Sequence, residues 1–183
     1  MKLHTERPDQ PVVPGTGAAP MPAGASDVAM LMLRLAVGLI LAGAGAQKLF
    51  GWFGGSGPDA TAAGFAQLGY DPALFYAVLA GASEFLGGLG LAVGLLTPLA
   101  AAASIGVMIN AMEIAPHFSL WSSTGPAFSY PMLLAVGAFT IAAVGPGRLS
   151  LDVPFPWRDG GWGPAGFALL LGCAGAAIVL ALR

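Results

Sequence analysis

Of the 183 residues, 56% are hydrophobic and only 9% charged; the mean hydropathy is +0.78 and the formal net charge −2. A water-soluble domain carries about a quarter charged residues, so this composition excludes an ordinary soluble fold. The absence of a basic surplus excludes nucleic acid as a partner. The chain reads as an all-α, polytopic transmembrane helix bundle whose first partner is the lipid bilayer.

Residues 1–27 carry Pro8, Pro11, Pro14, Pro20 and Pro22 among Gly, Ala and Thr. Such a stretch has too little apolar surface to bury and is expected to be a disordered tail. Five apolar runs follow, each near the roughly 20 residues that span about 30 Å of hydrocarbon. The first runs from about Val28 to Phe50, with Ser26 and Asp27 as N-cap candidates. Lys2 and Arg7, an apolar stretch and then Ala44-Gly45-Ala46 imitate a cleavable leader, but Arg34 interrupts the apolar region, so the run is read as a retained helix.

After it, Asp59 to Tyr70 reads as a short amphipathic piece resting on the membrane surface, with Phe65 and Leu68 on one face. The second run is about Ala73 to Leu96, and Thr97-Pro98 leads directly into the third, about Pro98 to Ala115, which Pro116 ends. The fourth is short, about Ser129 to Gly145. Residues 153–163 are expected to form a cytoplasmic linker, and the fifth run spans about Pro164 to Leu182. Trp52, Phe53, Phe118, Trp121, Trp157 and Trp162 fall where membrane interfaces are expected.

Basic residues set the orientation. Lys2 and Arg7 precede the first helix, Arg148 and Arg158 lie in the fourth connection, and the connections at 51–72 and 116–128 have no Lys or Arg. The positive-inside rule then puts the N-terminus in the cytoplasm and, after five crossings, the C-terminus outside a cell membrane.

Ionisable residues inside a membrane cost about 2.5–3.5 kcal/mol each at a helix centre, and are functional candidates for that reason. Arg34 falls roughly 9 Å into the first helix and Glu84 near the middle of the second, from the helical rise. Asn110 has a similar depth in the third, with Glu113 nearer the outside and His117 just beyond. Arg34, Gly38, Leu41, Gly45 and Lys48 share one helical face; Ala77, Gly81, Glu84 and Gly88 share another; Ala103, Gly106, Asn110 and Glu113 a third. Small residues permit close helix approach and polar ones avoid lipid, so the three faces are expected to converge inside the bundle.

Two readings follow. In one, Arg34 and Glu84 form a buried ion pair supported by Asn110, which fixes register alone. In the other, Lys48, Glu113 and His117 build an outward-facing polar pocket for a quinone head, a small anion or a proton. No catalytic or metal-ligand motif appears. The lone Cys173 cannot form an intramolecular disulfide and reads as a small apolar filler; Tyr130 reads as an interfacial anchor.

The run Arg34-Leu-Ala-Val-Gly38, then Gly45-Ala-Gln-Lys48-Leu-Phe-Gly51, resembles the first-helix pattern of the DoxX family. So do Glu84-Phe-Leu-Gly87-Gly88-Leu-Gly-Leu, Gly94-Leu-Leu-Thr97-Pro98 and the closing Gly145-Pro-Gly147-Arg148-Leu-Ser150-Leu-Asp152. The resemblance covers about residues 28–152 and implies a four-helix DoxX-like core, a fold also proposed for the DoxD quinone-reducing subunits. It carries over Arg34, Lys48 and Glu84 as motif positions and implies a place among membrane-associated redox assemblies. The proline-rich leader and the fifth C-terminal transmembrane helix depart from that pattern. The resulting expectation is an accessory or anchoring subunit that recruits a membrane or soluble redox partner, forms a homo-oligomer or not, and binds quinone near Lys48, Glu84 and Glu113. The alternatives are a catalytic quinone-linked oxidoreductase subunit and a small-solute transporter.

Overall fold

The computed structural model describes residues 23–114, 120 and 127–183. These residues are helical almost throughout: α1 (Ala23–Phe50), a 3-10 turn (Trp52–Gly54), α2 (Gly57–Gln67), α3 (Ala73–Val93), α4 (Thr97–Ile114), α5 (Ser129–Val144) and α6 (Trp162–Ala181). The expected all-α bundle is therefore present, and α1, α3, α4 and α6 are long and apolar enough to cross a membrane. α5 is apolar but has only 16 residues, roughly 24 Å by the helical rise, short of a full hydrocarbon core.

The helices are apolar on every side, which suits lipid and not water. Leu74, Leu86, Leu133, Val136 and Leu170 are all more than half exposed on their outer faces. Inward, Leu41, Leu91, Ala101, Ile105, Ala138, Ile141 and Ala168 share one core drawn from α1, α3, α4, α5 and α6.

Glycine sets how closely the helices approach. A methyl group on Gly38 would lie 2.5 Å from the Gly88 carbonyl oxygen, and one on Gly45 would lie 2.4 Å from the Phe85 nitrogen. α1 and α3 thus run antiparallel with their backbones in contact, a packing available only to small residues. α6 makes a similar crossing on α4, where a methyl on Gly172 would meet the Ala102 carbonyl oxygen at 2.9 Å and one on Gly106 would meet the Gly172 oxygen at 3.1 Å.

Three local expectations differ from the structure. α1 starts at Ala23, because Pro22 is the last proline of the leader and nothing after it opposes a first turn. Ser26 and Asp27 consequently lie within the helix and do not cap it; Asp27 Oδ1 instead accepts the Arg148 N–H at 3.0 Å. Cys173 is exposed on the outer face of α6 and fills no core position. Tyr130 is 56% exposed at the start of α5, a position that suits an interfacial residue. The proline-rich residues 1–22, Phe118 and Trp121 lie outside the described residues.

Candidate functional site in an apolar cavity

The polar residues singled out by sequence separate into distinct places. Arg34 is 1% exposed and forms no pair with Glu84. Its Nε donates to the Leu91 oxygen (3.1 Å), Nη2 to Ala92 (2.8 Å) and Nη1 to both Pro146 and Leu149 (2.8 Å each). Leu91 and Ala92 belong to the last turn of α3, where carbonyls run short of intrahelical partners and carry the negative end of the helix dipole; the Leu91 oxygen also accepts the Gly94 N–H at 3.2 Å. Asp152, fully buried, does the converse at the start of α4: its carboxylate accepts the Leu96 N–H (2.8 Å) and the Thr97 N–H (2.7 Å). One cation and one anion thus clamp the tight α3–α4 turn. The turn needs both, because Leu96 has φ +50, a conformation that costs a non-glycine residue roughly 1–2 kcal/mol. Gly94 at φ +66 leaves the room: a methyl there would lie 2.7 Å from Arg34 Cζ.

The expected Arg34–Glu84 pair fails on depth. α1 and α3 are antiparallel, so with Gly38 against Gly88 the guanidinium reaches Leu91 and Ala92, and Glu84 lies seven residues earlier on α3, roughly 10 Å away by the rise. The partner that meets Glu84 is Lys48: Nζ donates to Oε2 at 2.6 Å, with the Glu84 side chain 5% and the Lys48 side chain 31% exposed. The expected grouping of Lys48 with Glu113 is likewise not formed. Glu113 pairs with Arg183 at 3.4 Å on a partly exposed flank, and His117 lies outside the described residues. Asn110 supports neither pair; its Nδ2 donates to the Gly106 oxygen one turn back, at 3.0 Å.

Lys48, Glu84 and Asn110 do share a cavity. A space of about 430 Å³ lies between α3, α4 and α6, with mostly apolar walls and with Phe65 of α2 and Tyr70 among its lining residues. Along α4 it extends from Leu99 to Ile114, roughly 22 Å by the helical rise. Its polar groups gather toward the Lys48 end. Two of them are buried without a hydrogen-bond partner, the Tyr70 hydroxyl and Asn110 Oδ1. Buried polar atoms are paired in the great majority of cases, so two orphans in one cavity make it the candidate site of this protein. Its size and mixture of apolar wall with few polar groups match small-molecule sites in general.

Tyr70 and Tyr76 carry this site and neither stands out in the sequence. Tyr70 ends the amphipathic piece and Tyr76 opens α3. The available signal is chemical: a tyrosine buried among apolar residues requires a partner for its hydroxyl. Tyr76 finds one, donating to the Leu182 oxygen at 3.2 Å, whereas Tyr70 is 2% exposed and has none. The clamping role of Asp152 at the α3–α4 turn is equally silent in the sequence, because its two partners lie more than fifty residues away.

No curated protein and no solved structure is significantly similar to the chain. Residues 29–117 match the DoxX family model, a span that holds Arg34, Lys48, Glu84, Asn110 and Glu113. α5, the Gly145–Asp152 segment and α6 lie beyond it, so the match stops short of the resemblance read to residue 152. With four apolar helices of spanning length, the chain is a multi-pass integral membrane protein built as a helical bundle, and residues 29–117 of it match the DoxX family.

Proposed function

We propose that the cavity between α3, α4 and α6 binds a lipophilic molecule with a compact aromatic head, of the quinone class. The protein holds this molecule in the membrane as an accessory or anchoring subunit of a redox or oxidative-stress assembly, with the catalytic cofactors on a partner. The observation that supports the reading best is the cavity itself: about 430 Å³ of apolar space with an ion pair and two unpartnered buried polar atoms collected toward one end. A head would sit among Lys48, Glu84, Asn110 and Tyr70 while a hydrocarbon tail runs toward Leu99. The DoxX match favours the redox setting. The N-terminus lies in the cytoplasm and the C-terminus outside; Asp27 bonded to the Arg148 backbone puts the start of α1 and the α5–α6 connection at one end, in keeping with the basic residues of both.

The test is isolation of the full chain from its native membrane in mild detergent, with extracted small molecules and co-purifying proteins identified by mass spectrometry. The wild-type protein should carry quinone-class molecules near one per chain together with a redox protein. Glu84→Gln should retain at least fivefold less at equal folded yield, since the change removes the charge that holds Lys48 in place. A wild-type preparation containing only phospholipid and no partner would sink the proposal.

A further inference from the structure

We infer that the cavity selects the hydroxyl form of its ligand, holding a lipophilic hydroquinone in preference to the corresponding quinone. This rests on the ligand-binding reading above and specifies the chemistry of the head. Asn110 is the deciding residue. Its Nδ2 donates to the Gly106 carbonyl oxygen, and this orientation of the amide is forced, because the flipped form would set two oxygens against each other. The atom left over is therefore Oδ1, buried and unpartnered. A carboxamide oxygen can only accept, so only a ligand that donates satisfies it. A quinone offers carbonyl oxygens alone; placed there it gives Oδ1 no donor.

The neighbouring groups point the same way. Glu84 uses Oε2 for Lys48 and has a second carboxylate oxygen that can only accept. The Tyr70 hydroxyl can do either. The obligate donors are Lys48, which also lines the adjoining pocket beside Gln47, Ser56 and Thr61, and the second N–H of Asn110 Nδ2. Two oxygens that only accept, Asn110 Oδ1 and the second oxygen of Glu84, thus belong to one cavity. The shape of the head follows from the rings there: Phe65, Tyr70 and Tyr76 form a chain with centroids 5.0 and 5.1 Å apart, and aromatic side chains in such clusters favour an aromatic guest.

The experiment uses the full chain in lipid nanodiscs, with empty nanodiscs correcting for partition. Three probes are compared: a decyl-substituted benzoquinone, its hydroquinone kept reduced without oxygen, and the dimethyl ether of that hydroquinone, which keeps ring and oxygens but lacks O–H. The hydroquinone should bind roughly 5- to 10-fold more tightly than either of the others, the worth of one buried hydrogen bond. Asn110→Leu should bring the hydroquinone-to-quinone ratio close to one. In a potentiometric titration, each tenfold preference should raise the midpoint of the bound two-electron couple by about 30 mV. Saturable binding with equal affinities, or with the quinone tighter, overturns the selectivity while leaving the cavity a ligand site. No saturable binding of any probe overturns the ligand reading and this inference with it. Should Asn110→Leu not fold, the wild-type ratio and the midpoint decide alone.

Discussion

A guanidinium surrounded by apolar helices has five N–H groups to satisfy, and Arg34 makes four hydrogen bonds to carbonyl oxygens, of which the Leu91 oxygen also accepts the Gly94 N–H. Its burial is therefore architectural: it ties the end of α3 to the segment after α5 and does not line the cavity. Arg34→Met should lower stability by about 3 kcal/mol or more, since hydrogen bonds to a charged group are worth roughly 1.5–3 kcal/mol each and several carbonyls would be left unmet. Arg34→Lys should fall between, because an ammonium has three donors and no planar fork. Thermal unfolding in detergent measures both. The ligand content of the fraction that remains folded should not change; a selective loss of ligand at full stability would show that Arg34 serves the cavity directly. Glu84 and Asn110 stand in the opposite position, since they line the space and the fold leaves Oδ1 of Asn110 with nothing to bond.

At the scale of an element, the helices are held by contact between backbones, and the glycines divide by what lies opposite. A methyl on Gly88 would lie 2.4 Å from the Ala42 nitrogen, whereas one on Gly43 has nothing within 4 Å. Gly88→Ala is therefore expected to cost roughly 1–3 kcal/mol, the usual range for overpacking. Gly43→Ala should be neutral or slightly stabilising, because alanine loses less conformational freedom in a helix. Unfolding midpoints of the two variants in one detergent check the contrast, and equal losses would mean that α1 and α3 are less tightly docked than their geometry indicates. Gly88→Ala should also weaken the Lys48–Glu84 pair, which depends on the same α1–α3 approach. α6 matters to the site in a related way. Leu171, Gly172, Gly175, Ala176 and Val179 line one side of the cavity, so a helix outside the family match completes the candidate site.

For the whole molecule, the two ends of the bundle differ in kind. At one end Arg34, Asp152 and Asp27 bind the α3–α4 turn, the segment after α5 and the start of α1 together. At the other, the cavity's polar groups lie beneath α2. The proposed orientation makes the clamped end cytoplasmic and the Lys48 end external. With Cys173 replaced by Ser, single cysteines at Asp59 and Asp159 report on opposite sides. A membrane-impermeant thiol reagent on intact cells should label Asp59→Cys and leave Asp159→Cys unlabelled until the cells are opened. The reverse pattern would invert the orientation and place the head of any bound ligand toward the cytoplasm.

The sequence by itself determined the class of this protein: low charge, continuous apolar runs and glycine periodicity dictate an all-helical membrane bundle, because lipid admits only segments that bond their own backbone. It also exposed Lys48, Glu84 and Asn110 as polar groups at membrane depth, since their cost there is visible in any apolar run. What it left open was pairing. Periodicity shows which face a residue occupies and says nothing of the height at which two helices cross, so Arg34 and Glu84 share facing stripes and still miss each other by two turns. Only the packed structure fixed that register, through the contact of Gly38 with Gly88, and gave Glu84 to Lys48 and Arg34 to four carbonyls. The cavity belongs to tertiary structure altogether. Its walls come from α3, α4 and α6, with Phe65 and Tyr70 besides, and the unpartnered state of Tyr70 and Asn110 is a property of everything around them rather than of either residue.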